Sequence, residues 1–180
     1  MGLEILNADN ILFVPASEKS HRLLIVFSAA NSRNFTFYNS CAGLQTNMLF
    51  IRDPHFNHWF QNGFIKNRTI DDSILFLREL CSEYDYISTF GSSMGGYAAL
   101  LFGEKLNADR IIAIGPQTTL NHSYSRSPRS NVVLRYPNLS CLEPYCPKSR
   151  ILIFVGMLDG VDLLNSIKID NATGMDFLHL

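Results

Sequence analysis

The chain is expected to fold as a single α/β domain over residues 1–180, with a mainly parallel sheet and helices on both faces. Three observations predict this. Short apolar runs rich in β-branched residues recur along the chain, they are continuous rather than alternating, and helical patterns stand between several of them. Continuous runs mark strands covered on both sides. Alternation of strand and helix is the mark of parallel pairing, in which ligands collect at the carboxyl ends of the strands.

Taken in order, residues 3–6 and 11–14, separated by Asn7-Ala8-Asp9-Asn10, read as a hairpin that adds antiparallel strands to one edge of the sheet. Strands follow at 23–27, 47–51, 86–90, 110–114 and 151–155. Asp71 and Asp72 suit a helix N-terminus, and Ile74, Leu75, Leu77, Leu80 and Cys81 continue the apolar pattern, with Cys81 expected in the core. A second helix at 97–105 follows Gly95 and Gly96. The stretch 117–149 is polar and carries Pro128, Pro137, Pro144 and Pro147, so it reads as an excursion over the face that holds the strand ends.

Composition excludes several classes. Hydrophobic residues make up 47% and charged residues 17%, with 15 basic against 16 acidic, which describes a folded globule. No basic run favours nucleic acid, and the arginines at 126, 129 and 135 read as a solvated loop. The start of the chain lacks the pattern of a signal peptide, and no apolar run approaches the roughly 18 residues that span a bilayer. A soluble, cytoplasmic protein without a membrane partner is the expectation. Leu6 stands where a myristoylation signal wants Ser or Thr. Cys41, Cys81, Cys141 and Cys146 form no CxxC pair and are expected as reduced thiols, with Cys141 and Cys146 in a loop.

The most specific motif is Gly91-Ser92-Ser93-Met94-Gly95-Gly96, between an apolar strand and the packed helical run Tyr97-Ala98-Ala99-Leu100. A nucleophilic serine must be lifted clear of the sheet on a sharp strand-to-helix turn, which is feasible only with small neighbours. Gly91, Gly95 and Gly96 meet that need. The helix start beyond Ser93 brings partial positive charge and unpaired N–H groups to the place where an oxyanion would form. A phosphate cradle or a plain helix cap is the competing reading, but the motif has neither GxGxxG spacing nor a P-loop Lys-Ser/Thr ending.

These residues resemble a group of short α/β hydrolases related to bacterial esterases and acyl hydrolases. The resemblance covers most of the chain and rests on Phe27-Ser28-Ala29-Ala30, Arg52-Asp53-Pro54, Trp59-Phe60-Gln61-Asn62-Gly63, the GSSMGG turn, Ile114-Gly115-Pro116-Gln117 and Gly156-Met157-Leu158-Asp159. It implies ester, thioester or amide chemistry through an acyl-enzyme on Ser93, a small-molecule acyl substrate, no metal and no organic cofactor. It further implies an α/β-hydrolase-like fold, here with no separate cap domain and a shortened C-terminus. Met94 N–H is then the first oxyanion donor, and Ala29 in the loop after an early strand is the chosen second.

The chain order of the triad in this fold calls for an acid after a late strand and a histidine beyond it. Asp159, in a Gly-x-x-Asp turn, fits the acid, with Asp162 in reserve; turn former or helix cap is its structural alternative. The resemblance places the histidine in a run like Gly-His-Asp-Phe, but the chain reads Gly174-Met175-Asp176-Phe177. Met175 cannot take a proton. His179 is therefore the chosen base, with His122 in the polar excursion as second choice. His55 and His58 flank a loop around Trp59; it is read as polar loop or pocket wall, because no third metal ligand accompanies them. Two functions remain open at this stage: a serine hydrolase or acyl transferase, and a noncatalytic or decayed relative that binds a ligand or partner in the same cleft. Oligomeric state is not encoded in any motif.

Overall fold

A computed structural model describes residues 9–65, 68–120, 132–139, 149–156, 159–161 and 163–165. Six strands form one sheet: β1 Ile11–Val14, β2 Arg22–Phe27, β3 Asn47–Ile51, β4 Tyr86–Ser92, β5 Arg110–Ile114 and β6 Arg150–Phe154. Their spatial order is β1-β3-β2-β4-β5-β6, and every pairing is parallel except that of β1 with β3. Among the described residues they are accompanied by helices α1 Tyr38–Cys41, α2 Ile70–Cys81 and α3 Met94–Lys105. No helix among the described residues is long and apolar enough to cross a membrane.

The edge strand is antiparallel as expected, but its described partner is not the preceding segment. Ile11 faces Ile51 and Val14 faces Met48, a pairing across more than thirty residues that no turn signal announces. Residues 3–6 lie outside the described residues, as do Cys141 and Cys146.

Coverage of the strands is uneven. β2 and β3 are buried on both faces, which is why both read as continuous apolar runs. In β4, β5 and β6 burial alternates: one face of each is buried and the other, among the described residues, is mostly buried in part. Residues of α2 and α3 share one core with Leu23, Ile25 and Phe27 of β2 and Leu49 and Ile51 of β3. The opposite face carries a smaller cluster of Val26, Met48 and Phe50 with Cys41 of α1, joined by Phe35, Phe37 and Phe90.

α2 begins at Ile70, one residue before the aspartates that mark it in the sequence. Thr69 is its N-cap, and Thr69 and Asp72 form a reciprocal capping box in which Asp72 Oδ2 accepts from Thr69 N at 2.8 Å. That backbone hydrogen bond, then the Thr69 hydroxyl, holds the Asp72 carboxyl below its ordinary range. At the other end Cys81 packs half-buried against the core, and burial pushes its thiol up to about 12. α3 is buried all round from Met94 to Gly103 and serves as the central helix.

Candidate active site

All parallel strands end at the same edge of the sheet, so the loops after β2, β3, β4, β5 and β6 meet there. Between β4 and α3 the chain turns at Ser93 with φ 53 and ψ −120, a conformation that a residue with a Cβ adopts only under strain. Backbone contacts enforce it. A Cβ on Gly91 would stand 2.2 Å from Gly95 O, and one on Gly95 would stand 2.2 Å from Phe27 O. One on Gly96 would stand 3.2 Å from Ile114 O. The glycines therefore let the first turn of α3 sink between the ends of β2 and β5. Ser93 N donates to Ile114 O at 2.8 Å, and Ser93 O accepts from Tyr97 N at 3.0 Å. The Ser93 residue itself is exposed. The Ser93 side chain makes no capping hydrogen bond to α3, whose first residue is Met94.

The loop after β2 lies against this turn, since Phe27 O and Ser28 O are the atoms that crowd Gly95. Its amides are mostly engaged: Ser28 N donates to Ile51 O at 2.9 Å and Asn31 N to Phe56 O at 2.7 Å. Ala29 N, the chosen oxyanion donor, donates to Thr36 Oγ1 at 3.2 Å. Thr36 N in turn donates to the buried Ser28 Oγ at 3.0 Å. Thr36 Oγ1 also contacts Ser32 Oγ at 3.2 Å.

Asp159 stands beyond β6, two strands from β4, or about 10 Å across the sheet at ordinary strand spacing. Its N donates to Gly156 O at 2.9 Å, closing the turn read from the sequence, and its Oδ1 accepts from Val161 N at 3.1 Å. The carboxylate thus caps the short helical turn that follows. That turn is anchored by Asn165, which sequence reasoning missed. Asn165 is fully buried, its Oδ1 accepts from Thr118 N at 2.9 Å and Thr119 N at 3.1 Å, and its O accepts from Thr118 Oγ1 at 2.9 Å. Forty-seven residues separate the partners, and no local pattern signals the pairing.

The loop after β3 forms another wall. Asp53 is buried, and its carboxylate accepts from His55 N at 3.0 Å and Phe60 N at 3.3 Å. Phe56, Trp59 and Phe60 all have positive φ, so this loop too holds strained backbone. Gln61 clamps it: Nε2 donates to Trp59 O and to Tyr97 Oη on α3, while Oε1 accepts from Arg135 N and Tyr136 N. Residues 132–139 of the polar excursion are thereby tied to the site, and Trp59 meets Tyr97 edge-on at 5.6 Å. His55 and His58 stack with ring centroids 4.5 Å apart. Among the described residues no cluster of three metal-ligand side chains occurs. His55, Phe56 and Asn62 line a cavity of about 740 Å³ with Arg52 and Arg68.

Four of the sequence-selected positions, Ser93, Met94, Ala29 and Asp159, therefore lie at one edge of the sheet. His179, His122, Asp162 and Met175 lie outside the described residues.

No protein-family model matches the chain, and no curated protein matches it in sequence. Solved structures do match it in shape. The capsule O-acetyltransferase of Neisseria meningitidis serogroup A superposes with a TM-score of 0.69 at 17% identity, covering 94% of this chain and 81% of the other. Fluorophosphonate-binding serine hydrolase F of Staphylococcus aureus gives 0.66 at 11%, covering 96% and 83%. An alpha-beta serine hydrolase homologue from Coxiella burnetii gives 0.60 at 13%, covering 94% and 80%. At such identities the likeness speaks to architecture: the chain has the α/β-hydrolase fold, and no separate cap is evident among the described residues.

Proposed function

We propose that the protein is a serine-dependent acyl-transfer enzyme that cleaves an ester, thioester or amide and passes the acyl group to water or another alcohol. The observation that carries this reading is the Ser93 turn, where an exposed serine is held at φ 53 between strand and helix. Strain of that kind costs about 1–3 kcal/mol and persists where a site requires it.

In this mechanism Ser93 Oγ attacks the carbonyl carbon as an imidazole, His179 or else His122, takes its proton. The carbonyl π pair moves onto oxygen, and Met94 N–H and Ala29 N–H receive the charge, Ala29 by exchanging Thr36 Oγ1 for the substrate oxygen. Collapse expels the alcohol, thiol or amine with the proton from the imidazole. Water or an acceptor alcohol then attacks the acyl-Ser93 ester by the same route. Asp159 orients the imidazole; the gap of two strands between it and Ser93 supports this role, since one ring must fit between them.

Two observations favour the noncatalytic reading: the Ala29 amide is engaged by Thr36, and Met175 stands where the resembling hydrolases carry histidine. Labelling with a fluorophosphonate and mapping of the labelled peptide separates the two. Wild type is expected to label at Ser93, Ser93→Ala not at all, and His179→Ala at least a hundredfold more slowly, the order of a lost general base. A folded wild type that takes no label would refute acyl transfer and leave the binding protein.

A further inference from the structure

We infer that Thr36 is a placeholder in the oxyanion site: in the free protein its hydroxyl occupies the Ala29 amide, and substrate must displace it before that amide serves the reaction. This rests on the acyl-transfer reading and deepens it.

The acceptors of the loop differ in kind. Ser28 N and Asn31 N, on either side, donate to main-chain carbonyls of other segments, which cannot leave without moving the backbone. Ala29 N donates instead to a side-chain hydroxyl, at the longest of the three distances, 3.2 Å. A threonine hydroxyl can be released by rotation about χ1 alone. In the same rotamer it contacts Ser32 Oγ at 3.2 Å, a second exchangeable side-chain partner.

Departure of the hydroxyl leaves the loop standing. The Thr36 backbone is fixed separately by its N–H on Ser28 Oγ, a side chain that is itself buried. The arrangement thus separates the part that holds the loop, Ser28 Oγ with Thr36 N, from the part that fills the donor, Thr36 Oγ1. An oxygen 3.2 Å from the amide lies near the distance at which an oxyanion oxygen is bound, about 2.7–3.1 Å. A substrate oxygen and the Thr36 hydroxyl therefore compete for one donor. In the free enzyme the donor is satisfied rather than exposed, and each binding event must exchange one hydrogen bond for another.

Fluorophosphonate labelling reads this directly. The Ser93 Oγ–P bond forms as P–F breaks, the serine proton goes to the base, fluoride leaves, and the phosphonyl oxygen takes the oxyanion position. Thr36→Ala keeps the Thr36 N contact and removes the hydroxyl, which leaves the Ala29 amide open. Its labelling at Ser93 is expected to be about threefold to tenfold faster than wild type, the worth of one neutral hydrogen bond. Thr36→Ser, which keeps the hydroxyl, is expected to label at the rate of wild type. Thr36→Gly serves the same purpose should the alanine variant not fold, and melting curves report the fold of each.

Wild-type labelling with an equal or slower rate in a folded Thr36→Ala or Thr36→Gly protein overturns the inference and leaves acyl transfer intact. It would mean that the Thr36 contact only shapes the loop and that another amide, such as that of Ala30, is the donor. Absence of label on wild type overturns both.

Discussion

The turns that carry Ser93 and Asp159 leave the sheet at the same edge, yet they are held by different forces. At Ser93 the backbone is packed against other backbone: Gly91 and Gly95 leave no room for a Cβ and Gly96 leaves little. At Asp159 the constraint is polar. The carboxylate caps Val161, and Asn165 fastens the following helical turn to Thr118 and Thr119. Steric exclusion yields a steep, short-range penalty, whereas a hydrogen-bonded anchor loses about the worth of its bonds and can rearrange. The first kind of turn suits the nucleophile proposed at Ser93, whose position must not vary. The second suits the acid proposed at Asp159, which has to align with a separate group.

The largest effect expected from this contrast is that of Gly95→Ala. Its new methyl would stand 2.2 Å from Phe27 O, backbone that cannot rotate away. A loss of about 3 kcal/mol or more is expected in urea unfolding. Asn165→Ala ranks next, with about 2 kcal/mol lost as the Thr118 and Thr119 amides lose their buried acceptor. Labelling at Ser93 should also slow as the Asp159 turn loosens. Should Asn165→Ala prove as costly as Gly95→Ala, the distinction between steric and polar restraint would not hold. The smallest effect runs the other way: Ser93→Gly relieves a φ of 53 and is expected to stabilise the fold by about 1 kcal/mol while abolishing labelling. A loss of stability in that variant would show that the turn is not strained.

What was legible in the sequence follows the same division. The strands at 47–51 and 110–114 and the glycine-rich turn can be read locally, because continuous apolar runs and the demand for small residues act within a few positions. Asp159 could be placed in a turn for the same reason, but its capping of Val161 was only one of the alternatives. The start of α2 was read at Asp71 and Asp72, while Thr69 and Asp72 together form the cap, since Asp72 works by reaching back to the Thr69 backbone. The difference in burial between the two faces of β4, β5 and β6 is not legible in an apolar run, which does not report which side of the sheet the helices occupy.

The sequence by itself determined the class of fold and the glycine-rich turn that lifts Ser93 out of the sheet, since both depend on hydrophobic periodicity and on backbone sterics within one turn. Only the tertiary structure decided that β1 pairs with β3, that Gln61 joins Tyr97 to residues 135 and 136, that Asn165 holds Thr118, and that Thr36 fills the Ala29 amide. Each is a polar or strand pairing between segments distant along the chain or across a loop. A hydrogen bond needs its partners within a few tenths of an ångström and at a suitable angle, and that requirement is met or missed only once the core has brought the segments together.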